Sequence, residues 1–297
     1  MFDLRYHVAS LAAVFLMLVV GILIGVGISG RGFVDDAERN RFNDKIAGLE
    51  EQVDAANATA ADFERRQQAA RDFVASAYPV LVEKRLDGMR IGVLVLGSVD
   101  PSLGFVERAV VDGGGRLARM RAVTLPLRLD AVEAKVAANP ELGGYAGDEQ
   151  LGNLGRDLGR ELVTGGETPL WDALAGEIVE ERLDRGEPTT PLDGVVVIRT
   201  AEPQAGPTSR FLAGLYQGLG STGVPVVGVE STRVEQSAIP VFQRHHLSTV
   251  DGIDEELGQL ALVLVLGDTQ AAGDYGIRDT AEDGILPPIE PLPAPSG

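Results

Sequence analysis

Residues Val8–Ile28 form a run of 21 residues without a charged side chain, and this run limits the chain's folding options more than any other feature. As a helix it spans roughly 31 Å, the thickness of a bilayer's hydrocarbon core. Arg5 and Arg31 bracket it, and Ser10 is its one hydroxyl. Residues 1–31 therefore read as a transmembrane anchor whose partner is membrane lipid along residues 8–28. A cleaved signal peptide would carry a shorter apolar core, about 7–15 residues. Gly27 and Ser29 would suit a cleavage site before Gly30, but the length favours an uncleaved anchor.

Two glycine patterns lie in this segment. Gly21 and Gly25 make a GxxxG, a spacing that lets membrane helices approach closely. Gly25-Val26-Gly27-Ile28-Ser29-Gly30 matches the dinucleotide fingerprint by letter only. That fingerprint needs a strand before it and a βαβ unit around it. A membrane span precedes it here, so the nucleotide reading is rejected. Lys and Arg are sparse on the N-terminal flank, whereas Arg31, Arg39, Arg41 and Lys45 follow the span. Taken alone, that bias puts the C-terminal bulk in the cytoplasm.

Residues 32–87 read as a coiled-coil stalk. Apolar residues recur in a 3-4 rhythm at Phe42, Ile46, Leu49, Val53, Ala56, Ala60, Phe63, Ala70, Val74, Ala77 and Leu81, with Gln67 the polar exception. A 3.5-residue period predicts self-association through residues 42–81. The alternative is an amphipathic helix folded against the downstream domain. Pro79 is expected to bend or end the helix.

From Gly88 the period changes. Arg90–Leu96, Gly194–Thr200, Val224–Glu230 and Leu260–Leu266 are short apolar runs, read as buried parallel strands. Arg116–Thr124 alternates and reads as an edge strand. Helical patterns cover Pro101–Val111, Leu151–Leu162, Leu170–Leu183 and Pro207–Leu219. The fold class is α/β: an N-terminal transmembrane helix, the stalk, then a doubly wound, mainly parallel sheet domain resembling flavodoxin-like folds over residues 88–270. Residues 271–297, rich in Pro, Gly and acidic side chains, read as a disordered tail.

Forty-four acidic against 26 basic residues give a net charge of −18, most of it in residues 88–270. Nucleic acid is excluded as a partner, since phosphate contacts need a basic surface. The chain has no cysteine, which removes disulfides, thiolate metal sites and Cys nucleophiles. The strand-end loops carry no Walker lysine, nucleophile elbow or paired carboxylates. Asp100 and Asp268 could share a strand-end site, but loop and cap roles explain them more simply. No catalytic residue and no cofactor-binding residue is assigned, and the chain is not expected to be an enzyme. The weak metal candidates are His245 and His246. Adjacent residues on a strand face opposite ways, so one ion would need irregular backbone there.

Two blocks carry a family resemblance. Leu4-Arg5-Tyr6-His7-Val8-Ala9-Ser10-Leu11-Ala12-Ala13-Val14-Phe15-Leu16 resembles the start of the mycobacterial copper transport protein B (MctB) family of actinobacteria. Ser248-Thr249-Val250-Asp251-Gly252-Ile253-Asp254 and the closing Gly273-Asp274-Tyr275-Gly276 resemble it as well. The resemblance implies a cell-envelope protein with an extracytoplasmic domain, a role in copper efflux or pore formation, and copper as the transported ion. An outer-membrane barrel, however, should show many alternating segments of about ten residues, and this chain shows none. The alternative is a bitopic scaffold that transports nothing, its α/β domain binding an envelope protein partner.

Overall fold

The computed structural model describes residues 4–29, 33–98, 100–176, 178–184, 190–200 and 202–291. The chain divides into two compact units, Met1–Ala70 and Arg71–Gly297. The first holds α1 (Leu4–Ser29) and most of α2 (Phe33–Val82). Leu11, Phe15, Met17 and Leu23 of α1 are exposed on different sides of the helix. A helix that is apolar all round and unburied suits hydrocarbon rather than a protein core. The span from His7 to Gly27 is long and apolar enough to cross a membrane.

Helix α2 runs through Pro79 to Val82, so the proline does not end the helix at its own position. Proline removes one N–H bond, but here the last turn is held by burial of Tyr78 and Val82 within the core of the second unit, to which this end of α2 belongs. The α/β core thus recruits side chains from before residue 88.

The second unit is built on one seven-stranded sheet. Its strands are β1 (Arg90–Leu96), β2 (Arg116–Val123), β3 (Val179–Asp184), β4 (Gly194–Arg199), β5 (Val226–Val229), β6 (Ser248–Val250) and β7 (Asp274–Tyr275). The order is β3-β2-β1-β4-β5-β6-β7, parallel throughout except for the β2/β3 pair. Both faces are covered. Leu94, Leu96, Val195 and Val197 face one core, under α4 (Leu129–Ala138), α5 (Leu151–Thr164), α6 (Pro169–Leu174), α7 (Gly206–Gly220) and α8 (Ile239–Arg244). Ile91, Val93, Val95, Val196 and Ile198 face the other, under α3 (Ser102–Asp112), α9 (Glu256–Gly267) and the end of α2.

Four expectations are corrected. Leu260–Leu266 is helix α9, not a strand. It is buried on every side between the sheet and its neighbouring helices, so its composition shows no helical stripe. Arg116–Thr124 gives β2, an inner strand. Two of its three arginines are buried: Arg119 Nη1 donates to the Leu162 carbonyl at 2.6 Å, and the Arg121 guanidinium sits 5.9 Å from the Trp171 ring centroid, while Arg116 at the strand start is exposed. The expected helix Leu170–Leu183 is instead α6 followed by β3, which takes the sheet edge. The segment from Ala271, expected to be disordered, supplies β7 and buries Tyr275; residues 292–297 lie outside the described residues.

Helices α5 and α7 meet backbone to backbone. A Cβ at Gly214 would overlap the Gly152 carbonyl, and one at Gly218 the Arg156 carbonyl. Gly155 and Gly159 abut Phe211 and Leu215 in the same way. Each helix carries its own GxxxG, and only hydrogen side chains permit this approach.

Candidate functional site

In an open parallel sheet, ligands lie at the carboxyl ends of strands where the connections diverge to opposite faces. Here that point falls between β1 and β4, whose following helices α3 and α7 cover opposite faces. Thr200 Oγ1 donates to the Ser98 carbonyl at 2.9 Å, closing the two loops on each other. Asp100 Oδ1 accepts from the Ser102 N–H at 2.7 Å and so caps α3. Arg199, mostly buried, donates to the Glu202 carbonyl at 3.0 Å. Two cavities flank Asp100. One, about 290 Å³, is lined by Arg199, Thr200, Glu202 and Ser237, and the other, about 280 Å³, by Phe105, Ser231, Arg233 and Asp254.

Beside these cavities stands a buried polar knot. Glu230 follows β5 and accepts from Ser237 Oγ at 2.9 Å and from the Ala238 N–H at 2.8 Å, with Arg278 Nη1 at 3.2 Å. Burial pushes its carboxyl above the ordinary value, while those N–H, O–H and guanidinium partners pull it back. Arg278 also donates to the Thr232 carbonyl at 2.9 Å. Asp251 follows β6 and is buried; it accepts from the N–H groups of Ile277 at 2.8 Å and Arg278 at 3.1 Å. Asp254 accepts from the Thr232 N–H and hydroxyl, both at 2.7 Å. Burial raises the Asp254 carboxyl, but these bonds outweigh it and the net shift is downward.

The knot joins the two C-terminal blocks that carry the family resemblance. Thr249 Oγ1 donates to Asp274 Oδ1 at 2.6 Å, and Tyr275 fills a core position. Gly276 has φ +146°, and a Cβ there would fall on the Asp251 carboxylate. The closing Gly-x-Tyr-Gly is therefore a latch that fastens the terminal segment to the sheet.

The sequence candidates are dispersed. Asp268 follows α9, which runs back across the sheet, so it lies at the opposite end from Asp100 and accepts from the Gln270 N–H at 2.8 Å. A shared Asp100–Asp268 site is thus removed by the change of Leu260–Leu266 from strand to helix. His245 and His246 lie in the turn after α8, not on a strand. His245 packs on the Tyr216 ring, with the centroids 5.0 Å apart and the planes tilted by 41°. Burial, then the nearby Arg244, His246 and Arg199, holds its pKa below the ordinary value. His246 is exposed with φ +57°. Among the described residues no group of three His, Asp or Glu side chains is placed to hold a metal ion. Sequence reasoning missed Glu230 and Arg278, because a strand-end acid and a distant arginine become partners only through the tertiary fold.

A seven-stranded open sheet covered on both faces is not a closed barrel. The order and spacing of the blocks nevertheless match known proteins along nearly the whole chain. Copper transporter MctB of Mycobacterium bovis is 24% identical to this chain over 322 residues, covering 96% of this chain and 98% of its own. Copper transporter MctB of Mycobacterium tuberculosis matches with the same identity and coverage. The family model described as "Copper transport outer membrane protein, MctB" matches residues 1–286, and this chain belongs to that family.

Proposed function

We propose that this chain is a membrane-anchored cell-envelope protein serving copper homeostasis, on the efflux or pore-forming side. The family match over residues 1–286 carries the reading. The chemistry of the chain shapes it further. With no cysteine and no metal-capable cluster among the described residues, tight copper chelation is disfavoured. Copper is substrate here. Any path for it is made by α1 in an assembly, while the α/β domain positions or recruits. The decisive measurement is cellular copper in a strain lacking the gene, with the full chain and a chain lacking residues 1–31 as complements. The proposal expects raised copper, restored only by the full chain, and ion conductance from the reconstituted protein.

A second reading, a bitopic scaffold without transport, is favoured by one observation. The sheet is covered on both faces, and one described helix is long and apolar enough to span a bilayer. Normal copper in the deletion strain together with silent bilayers selects this reading.

A further inference from the structure

Within the first unit, helix α2 carries an exposed apolar seam. Phe42, Ile46, Leu49, Val53 and Phe63 are 48–69% exposed, although they share one stripe of the helix. Ala56, Ala60 and Ala70 fill the intervening seam positions and are exposed too. The stripe changes use after Ala70. In the second unit Tyr78 and Val82 turn into the α/β core, and Ala77 and Leu81 become half-buried. Solvated aromatic and branched side chains at a regular 3-4 spacing are expected to have a partner.

We infer that residues 42–70 of α2 form a parallel, in-register, two-stranded coiled coil with a second copy of this chain. The inference rests on the membrane-anchored reading proposed above. Two copies held by Val8–Ile28 in one membrane send α2 away from it in the same direction, which makes the pair parallel. The side chains agree with two strands. Ile46 and Val53 put β-branched residues at one class of seam position and Leu49 occupies the other, the pattern that favours parallel dimers. In that register Lys45 of one copy faces Glu50 of the other, on both sides of the seam. Arg66 faces Arg71, a like-charge contact softened because Asp62 on the same helix holds Arg66 at 2.8 Å. Gln67 occupies a seam position of the Ile46 class, where two copies hydrogen-bond across the axis and penalise any slip.

The test uses the full chain in isolated membranes, since its lack of cysteine gives a clean background. Ile46→Cys, Val53→Cys and Ala58→Cys are each treated with a short bismaleimide. Ala58 lies on the face away from the seam. Ile46→Cys and Val53→Cys are expected to give covalent dimer at least fivefold above Ala58→Cys. Equal yields at all three positions, or no dimer, overturn the inference. Co-expressed, differently tagged Ile46→Cys and Phe63→Cys copies test direction: a mixed product exceeding the Ile46–Ile46 product means an antiparallel pair and overturns it. Light scattering of the unmodified chain in detergent is an independent check. A protein mass of two chains supports the dimer, and one chain or more than two refutes it. None of these readouts depends on copper, so failure of the copper reading in the deletion strain is separately visible.

Discussion

Asp251 shows how one carboxylate can fix the end of a chain. Its two oxygens take two consecutive N–H groups, Ile277 and Arg278, from a segment that buries Tyr275 and Pro287 and leaves Ile277, Ile285 and Ile289 exposed. Hydrogen bonds to a charged acceptor are worth about 1.5–3 kcal/mol each. Asp251→Ala should therefore release residues 274–291, and limited trypsin digestion should cleave after Arg278 at least tenfold faster than in the unmodified chain. Asp193 makes a different prediction. Its carboxylate accepts from the Arg90 guanidinium at 2.9 and 3.0 Å and from the Arg90 N–H at 2.9 Å. The guanidinium beside it holds its pKa below the ordinary value. A lowered aspartate pKa gives stability that is present above pH ~4 and lost as pH falls through the folded value. Glu230, raised by burial, runs the other way: its contribution is present at low pH and is lost as pH rises through its folded value. Replacing Asp193 with Asn should flatten the acid-side fall in Tm, and Tm measured from pH 6 down to pH 3 for both proteins reads this directly.

At the scale of elements, glycine spacing had opposite meanings in two places. Gly21 and Gly25 on α1 have nothing within 4 Å, whereas Gly214 and Gly218 on α7 touch the backbone of α5. Gly218→Ala gains about 1 kcal/mol of helix propensity but forces two packed backbones apart, which costs ~1–3 kcal/mol or more. We expect the thermal midpoint of the detergent-solubilised chain to fall by a few degrees, and Gly25→Ala to leave it unchanged. The sequence made β1, α3, β4, α5, α7 and β5 legible, because each is an apolar run or stripe of ordinary length. It misassigned Leu260–Leu266, since seven consecutive buried residues have no period to read. It also put β2 at the edge, because Arg119 and Arg121 look like solvent-facing residues until Leu162 and Trp171 arrive from the inserted helices. Strands β6 and β7 are only three and two residues long, and their neighbours in the sheet define them more than their own composition does. The strand-end cavities could be anticipated from the α/β pattern. The Glu230–Arg278 pair beside them could not, because 48 residues of chain separate its members.

At the scale of the whole molecule, orientation is the question on which function turns. The Lys and Arg residues after the span favour a cytoplasmic domain under the positive-inside rule, whereas the proposed envelope role needs it on the outer side. Ser98, exposed at the end of β1, is a convenient probe in a chain without cysteine. The proposed role predicts that Ser98→Cys is labelled by a membrane-impermeant maleimide in intact cells; labelling only after lysis would contradict it. Local composition, period and residue order were enough to read the membrane-length helix, the 3-4 seam, the acidic α/β character and the family from the sequence. The tertiary structure alone decided the strand order, the helical state of Leu260–Leu266, the burial of Arg119 and Arg121, and the latching of the terminal segment by Asp251. Each of these depends on groups far apart in the chain meeting where water is excluded, and no local pattern records which distant groups will meet.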